Sequence, residues 1–254
     1  MIDTSKFVNY FELPQDVVDL VCRPTTFETS RNLSGADVGL PDLSFMGVQD
    51  LMIPLAASVL CNTVNQQSWQ AVGLDGYADK PVERVGNYRL STWSPEIAAA
   101  LWERLQGLLP PIRAMDPYTP TDHDNHPLWK PVGVSPLLRF IRYEEGGQLV
   151  AHYDATFVQD ETHRTLQSLV IYLTSNEHGA TRFLVDPQAD KRVDEMDFSD
   201  WDRAGESDEV LFRCPPFRAE GIVFDHRLLH DGEPLGDLES EKIIIRTDIM
   251  YEKV

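Results

Sequence analysis

The sequence has little cysteine, no long apolar run and few basic residues. Its three cysteines, Cys22, Cys61 and Cys214, are an odd number and lack the spacing of a metal site. They indicate reduced thiols in a cytosolic protein rather than a disulfide framework. The most apolar early run, 51–60, is too short to span a bilayer and contains Pro54. Since no basic-then-apolar segment marks export, the sequence predicts a cytoplasmic protein.

Positive charge is scarce, because 22 lysines and arginines are set against 41 aspartates and glutamates, a formal net charge of −19 at pH 7. This balance argues against a nucleic-acid backbone or an anionic membrane as the main partner. It favours a neutral or cationic small molecule only weakly, because an acidic surface also serves solubility. The composition leaves the oligomeric state open.

A chain of 254 residues with 42% apolar residues is long enough to bury a packed core. No repeat or low-complexity tract divides the sequence. We therefore predict one domain, 1–254, in which 1–133 form an N-terminal helical and loop elaboration with supporting strands. Residues 134–254 are expected to form a β-rich core.

Two helices are predicted in the N-terminal part. Residues 47–65 carry an approximate apolar stripe. Residues 94–96, Ser-Pro-Glu, are a typical helix start, with a capping hydroxyl, a proline in the first turn and an acid near the positive end. Apolar residues then recur at helical spacing from Ile97 to Leu108. We expect this second helix to pack on the outside of the sheet.

Loops are predicted between these helices, and strands after them. Residues 25–37 are polar, 66–93 are irregular and rich in aromatics, and 111–136 are a proline-rich connection. Short strands with intervening turns then follow at 137–143, 148–154, 166–174, 180–185, 209–213, 221–226 and 242–251. This succession of short strands predicts a barrel or a sandwich.

A hairpin in this region carries a candidate metal site. Its turn, 144–147, contains two glycines that tolerate positive φ. On the returning strand His152 and Asp154 are two positions apart, so they project from the same side. A second imidazole, His230, comes from a distant strand. Two imidazoles and one carboxylate are the ligand set that holds non-haem Fe(II) and leaves other positions open.

The sequence also offers alternative ligands. His226 competes with His230 for the distal position, although it has an ordinary role as a hydrogen-bonding residue at a strand end. A separate cluster, 122–126 (Asp-His-Asp-Asn-His), is a rival metal site. It lies in a loop flanked by prolines, with no strand to fix its ligands, so we expect a solvated turn there.

Four motifs recur in order along the second half of the chain. They are Arg142-Tyr143-x-x-Gly-Gly147-x-x-x-x-His152-x-Asp154, Gly179-Ala-Thr181-Arg-Phe183, His230-x-Gly-x-Pro234 and a basic residue in the last strand. Together they resemble the Fe(II)/2-oxoglutarate-dependent dioxygenase superfamily, and within it the prolyl-4-hydroxylase-like branch. The resemblance covers roughly 134–254. It implies a mainly β fold with flanking helices, whose catalytic core is a double-stranded β-helix, that is, a jelly roll or cupin-like barrel.

The resemblance also implies an activity. His152, Asp154 and His230 would be both the catalytic residues and the metal ligands, with Fe(II) as the metal, 2-oxoglutarate as co-substrate and O2 in the last open position. The reaction would hydroxylate an unactivated C–H bond and release succinate and CO2. A free amino acid or natural-product intermediate is the preferred substrate, because no peptide-binding appendage is evident. A prolyl or other residue of a protein is the alternative, and desaturation or cyclisation at the same centre stays open.

Members of the family bind the distal carboxylate of 2-oxoglutarate with a cation from the last strand, and Lys242 and Arg246 both qualify. The two are four positions apart, so they share a strand face. Lys242 fits the usual spacing after the distal histidine, whereas Arg246 offers a bidentate fork and is slightly preferred. Tyr143 and Thr181 are expected to bind the same co-substrate.

Substrate contacts are predicted from position alone. Segments 66–93 and 156–164 are candidate lids, and Arg89, Trp93 and Phe157 are candidate contacts. Two other classes of protein compete with a dioxygenase. A non-catalytic jelly-roll binding protein would be expected to have lost one of the three ligands, and a cupin-like metalloenzyme would not need the basic residues of the last strand.

Overall fold

Fourteen strands and three helices form in the part of the chain that this computed structural model describes, namely residues 7, 9–34, 44–71, 87–113, 127–189, 191, 195–197, 203–236 and 241–254. The helices are α1 (Gln15–Val21), α2 (Pro54–Asn65) and α3 (Pro95–Leu105). The strands are β1 (Glu28–Ser34), β2 (Ser44–Gln49), β3 (Gln70–Ala71), β4 (Asn87–Trp93), β5 (Ile112–Arg113), β6 (Leu128–Val134), β7 (Leu137–Tyr143), β8 (Leu149–His152), β9 (His163–Tyr172), β10 (Thr181–Leu184), β11 (Val210–Cys214), β12 (Gly221–Asp225), β13 (His230–Gly232) and β14 (Lys242–Lys253). None of these helices is long and apolar enough to cross a membrane.

The strands form two antiparallel sheets. The large sheet has ten strands in the order β1-β2-β12-β9-β14-β7-β4-β3, with β6 beside β14 and β5 beside β6. The small sheet has four strands in the order β11-β10-β13-β8. The predicted class, mainly β with flanking helices and a double-stranded β-helix, is confirmed. Within the described residues both sheets are open, and they do not close into a barrel.

The two faces of the large sheet bury different kinds of side chain. In β14, Ile243 and Ile245 belong to the core that the helices cover. Ile244 belongs to a second core, between the sheets, which includes Phe183 of β10. Because successive strand residues point to opposite faces, the even-numbered positions 242–248 of β14 all face the small sheet. The polar residues of this strand are thereby directed between the sheets.

Several predictions for the N-terminal part are wrong. The helix expected at 47–65 begins only at Pro54, because the residues before it form β2. The expected loops at 25–37, 66–93 and 111–136 contribute β1, β4 and β6. Strand β4 pairs with β7, and β6 pairs with β14. These pairings stabilise strands that the local sequence does not predict, because strand formation depends strongly on the neighbouring strand.

Helix α3 begins where the sequence predicts. The Ser94 side chain accepts a hydrogen bond from the N–H of Ile97, at 3.3 Å, and Pro95 occupies the first turn. The helix ends at Leu105, one turn before the predicted end. As expected, its apolar side packs into the core on the outer face of the large sheet.

Arg104, in the last turn of α3, is buried and joins three segments. Its guanidinium donates to the carbonyls of Leu51, Val21 and Arg23 at 2.8, 2.9 and 2.8 Å. Replacing Arg104 by methionine is expected to lower the free energy of unfolding by roughly 3 kcal/mol, because three carbonyls lose a charged donor. Urea unfolding curves measure this change. The exposed neighbour Glu103, changed to glutamine, should alter stability by less than about 0.5 kcal/mol, and an equally small change in the arginine variant would contradict the prediction.

Candidate metal site

Two histidines and one aspartate come together at the pairing of β8 with β13. His152 and His230 are directly opposite each other in the small sheet, and their ring centroids are 4.2 Å apart. Asp154 follows β8, with Oδ1 3.9 Å from His152 Nε2 and Oδ2 3.7 Å from His230 Nε2. One potential ligand atom from each residue lies within 4.8 Å of the others. The structure therefore brings the three predicted ligands together.

The backbone determines which nitrogen of each histidine faces the aspartate. His152 Nδ1 lies 2.8 Å from the carbonyl oxygen of Val150, and His230 Nδ1 lies 2.8 Å from that of Leu228. Because a carbonyl oxygen only accepts, each Nδ1 carries the proton and donates. The lone pair of each Nε2 is then free for a metal ion. Such carbonyl partners are typical of metal-ligating histidines.

The environment also sets the charges of these groups. Burial lowers the pKa of His152 to about 3, and burial likewise lowers the pKa of His230. Burial opposes ionisation of Asp154, but the Arg246 guanidinium and then the imidazoles outweigh it and hold the pKa of this carboxyl well below its usual range. At neutral pH the site offers two neutral imidazoles and one carboxylate, which are the protonation states that metal binding requires.

Asp154 has three further partners besides the histidines. The Ser168 hydroxyl donates to its Oδ2, and Arg246 Nη2 lies 2.9 Å from its Oδ1. The backbone N–H of Asp154 donates to the carbonyl oxygen of His226 at 3.2 Å. A carboxylate offers about four lone-pair positions, so two hydrogen bonds leave capacity for a metal ion.

Behind Arg246 lies a second buried carboxylate, Asp248. Arg246 Nη2 is 3.1 Å from Asp248 Oδ1, and Arg139 Nη1 is 3.0 Å from Asp248 Oδ2. His226 Nε2 lies 3.4 Å from Asp248 Oδ1. His226, the alternative to His230 in the sequence, therefore contacts Asp248, while His230 belongs to the ligand cluster.

Lys242 lies at the other end of the inner face of β14. Its Nζ donates to the carbonyl oxygen of Gly179 at 2.5 Å and is 4.6 Å from the centre of the Tyr143 ring. Burial lowers the pKa of Lys242 to about 8, although Glu233 and Asp231 act in the opposite direction. No carboxylate among the described residues forms an ion pair with this ammonium. A buried cation of this kind is suited to binding an anion.

Two residues that the sequence did not single out complete the inner surface. Tyr172 is buried, and its hydroxyl lies 2.9 Å from Thr181 Oγ1. Ser168 donates to Asp154. Both belong to β9, a strand whose residues are almost all buried. A polar residue within a buried strand needs a hydrogen-bond partner, and this requirement was the available signal for both.

The predicted substrate contacts lie in different surroundings. Arg89 of β4 is opposite Ile141 in the pairing with β7, on the face between the sheets. Trp93 stacks on Phe7, with ring centroids 6.0 Å apart and an interplanar angle of 8°. Phe157 is 55% exposed just beyond the ligand strand. Thus the ring of Trp93 packs against Phe7, whereas Phe157 is accessible.

Some of the predicted segments cannot be placed. The rival cluster at 122–126 and residues 72–86 of the candidate lid lie outside the described residues. The other candidate lid, 156–164, runs from the ligand strand into β9, and its Phe157 N–H donates to Thr165 Oγ1 at 2.8 Å.

Comparisons with known proteins give structural likenesses only. No family model and no curated protein matches the sequence. A viral collagen prolyl hydroxylase from Paramecium Bursaria Chlorella virus-1, in complex with 2OG, aligns over 82% of this chain and 96% of its own, with 16% identity and a TM-score of 0.47. A prolyl-4-hydroxylase from Pseudomonas putida aligns over 83% and 92%, with 12% identity and a TM-score of 0.46. An oxidoreductase of the 2OG-Fe(II) oxygenase family from Burkholderia pseudomallei aligns over 96% and 94%, with 10% identity and a TM-score of 0.45.

These structural neighbours are Fe(II)/2-oxoglutarate oxygenases, including prolyl hydroxylases, which is the family that the sequence motifs resemble.

Proposed function

We propose that the protein is an Fe(II)- and 2-oxoglutarate-dependent dioxygenase that hydroxylates an unactivated C–H bond of a small molecule, with release of succinate and CO2. The observation that supports this best is the convergence of His152, Asp154 and His230 within 4.8 Å. Two neutral imidazoles and one carboxylate bind Fe(II) and leave positions for a chelating co-substrate and O2.

The three side chains fit a divalent iron in both charge and orientation. The carbonyls of Val150 and Leu228 hold each imidazole with Nε2 toward Asp154. Iron held there, with 2-oxoglutarate and O2, would supply the oxidising power for C–H cleavage. The chain contributes ligand orientation and the exclusion of water, for which a site between two packed sheets is suited.

We propose that Lys242, rather than Arg246, binds the distal carboxylate of 2-oxoglutarate. The sequence slightly favoured Arg246, but its guanidinium already contacts the carboxylates of Asp154 and Asp248. The Lys242 ammonium is buried against the Gly179 carbonyl and the Tyr143 ring, as described above. Tyr143 and Thr181 remain our candidates for further hydrogen bonds to the same co-substrate.

The proposed substrate is a free amino acid or a natural-product intermediate, bound by the single domain that we expect 1–254 to form. Phe157, exposed directly after the ligand strand, is a candidate contact. Arg89 is a second candidate contact, because it lies on the face of the large sheet that faces the site. A non-catalytic binding protein is a weaker proposal, because such a protein has no need for three converging ligands with fixed tautomers.

The test is anaerobic titration of the full chain with Fe(II) and 2-oxoglutarate. We expect the weak visible charge-transfer band of the iron chelate, and its loss in Asp154→Ala. Release of succinate in air is then measured with free amino acids and, separately, with prolyl peptides. Absence of the band at saturating reagents would contradict the proposal, and stimulation by prolyl peptides alone would contradict its small-molecule part.

A further inference from the structure

A line of alternating charge runs away from the proposed metal ligands. It starts at Asp154 and continues through Arg246 and Asp248 to Arg139. One atom, Arg246 Nη2, lies within 3.1 Å of both carboxylates, at 2.9 Å from Asp154 Oδ1 and 3.1 Å from Asp248 Oδ1. The two carboxylates therefore share one guanidinium nitrogen. If Arg246 moves closer to one carboxylate, its distance from the other changes as well.

These side chains are shielded from solvent. The exposed fractions are 9% for the Asp154 side chain, 18% for Arg246 and 4% for Asp248. Charges in such surroundings interact more strongly than charges on a protein surface. The position and net charge of Arg246 should therefore affect Asp154 directly.

Asp248 is itself held on two other sides. Arg139 of β7 lies 3.0 Å from its Oδ2, and His226, just after β12, lies 3.4 Å from its Oδ1. Asp248 belongs to β14, so two strands, β7 and β14, and the residue that follows β12 determine where this carboxylate lies. The Asp248 carboxylate therefore has a defined position, and its ion pair with Arg246 restricts the long and flexible side chain of Arg246.

The sign of the electrostatic effect follows from this arrangement. A divalent metal ion at the triad and the guanidinium of Arg246 are both cations, and both interact with Asp154. Asp248 attracts the guanidinium of Arg246, which limits how closely the guanidinium approaches Asp154 and the metal ion. Removing the charge of Asp248 should therefore weaken metal binding, because Arg246 then moves closer to both.

We propose that Asp248 is a positioning residue for the metal site. By fixing Arg246, it sets how closely the guanidinium approaches Asp154, and thereby the affinity of the triad for a divalent cation. The inference rests on the proposed function only in that the triad binds a metal ion. Asp248 need not touch the metal, 2-oxoglutarate or the substrate.

The experiment is a double-mutant cycle with Mn(II) alone as the probe, followed by the EPR signal of the free ion. Asp248→Asn should raise the dissociation constant for Mn(II) by about tenfold or more. In an Arg246→Gln background the same change should alter it by less than about twofold, because Asp248 acts through Arg246. Asp248→Ser is measured in parallel, so that a folding failure of one variant leaves the other.

Asp225→Asn is the matched control. Asp225 is also a buried carboxylate of the large sheet. It forms an ion pair with Arg227, at 3.0 Å, and not with Arg246 or Arg139. The dissociation constant of Asp225→Asn for Mn(II) should stay within about twofold of that of the unchanged protein, because Asp225 does not contact Arg246.

Two results would overturn the inference while the proposed function stands. One is wild-type Mn(II) affinity in the folded Asp248 variants, and the other is an equal loss of affinity in both Arg246 backgrounds. Failure of the unchanged protein to bind Mn(II) would overturn the metal site and this inference together. Normal Mn(II) binding without a 2-oxoglutarate band would count against the proposed reaction only.

Discussion

Replacing His152 by alanine is expected to raise the dissociation constant for Fe(II) by more than about 100-fold. Loss of a residue that merely supports a ligand costs about 10–100-fold in metal affinity, and this change removes a ligand. His230→Ala should act similarly, because its Nε2 faces the same carboxylate from the opposite strand. Anaerobic equilibrium dialysis with Fe(II) measures both constants.

A histidine elsewhere in the same fold provides the control. His163, at the start of β9, pairs with Asp160 at 3.1 Å and is partly exposed. His163→Ala should leave the Fe(II) affinity within about twofold of its original value, because this imidazole supports no proposed ligand. If His152→Ala binds Fe(II) as tightly as His163→Ala does, the ligand assignment is wrong.

Two of the three proposed ligands could be predicted from the sequence by simple geometry. His152 and Asp154 are two positions apart at the end of a predicted strand, and the structure places them on one side. The third residue required a register between β8 and β13 that no local pattern encodes. Only the resemblance of the His230 segment to a known motif distinguished it from His226, four positions earlier.

The direction of the β14 side chains shows where pattern analysis fails. Strand alternation correctly predicts that Lys242 and Arg246 share a face. It does not show whether that face is solvent or interior, because Ile243 and Ile245 on the opposite face are buried too. A strand buried on both sides loses the contrast between polar and apolar positions on which the prediction depends. The face that carries Lys242 and Arg246 is interior because the small sheet covers it.

Asp248 and Ser168 were missed for a related reason. Each is a short polar residue within a strand that is largely buried, and each is itself buried. Buried polar groups nearly always have hydrogen-bond partners, so both positions signalled a polar contact. The identity of the partner, Asp154 for Ser168 and Arg246 for Asp248, depends on packing between distant strands. The sequence alone could therefore indicate that each residue makes a polar contact, but it could not identify the partner.

Replacing Lys242 by methionine is expected to weaken 2-oxoglutarate binding by about 100-fold, since loss of a buried charge contact costs about 2–5 kcal/mol. Arg246→Gln, titrated at saturating Mn(II), should change this affinity much less, because Arg246 contacts Asp154 and Asp248. Calorimetric titration of the Mn(II)-loaded protein with 2-oxoglutarate separates the two residues. A larger loss in the arginine variant than in the lysine variant would restore the assignment that the sequence slightly favoured.

The pH dependence of the same titration gives an independent check on Lys242. Its pKa, lowered by burial to about 8 in spite of Glu233 and Asp231, means that the ammonium is charged below pH 8 and loses its proton above it. Only the charged form attracts a carboxylate, so the affinity for 2-oxoglutarate should be constant below this pH and fall by up to about tenfold per pH unit above it. Lys242→Arg keeps its charge throughout this range and should remove the decline, even if its absolute affinity is lower. The same decline in Lys242→Arg as in the unchanged protein would show that another group titrates, because an arginine at this position cannot lose its proton there.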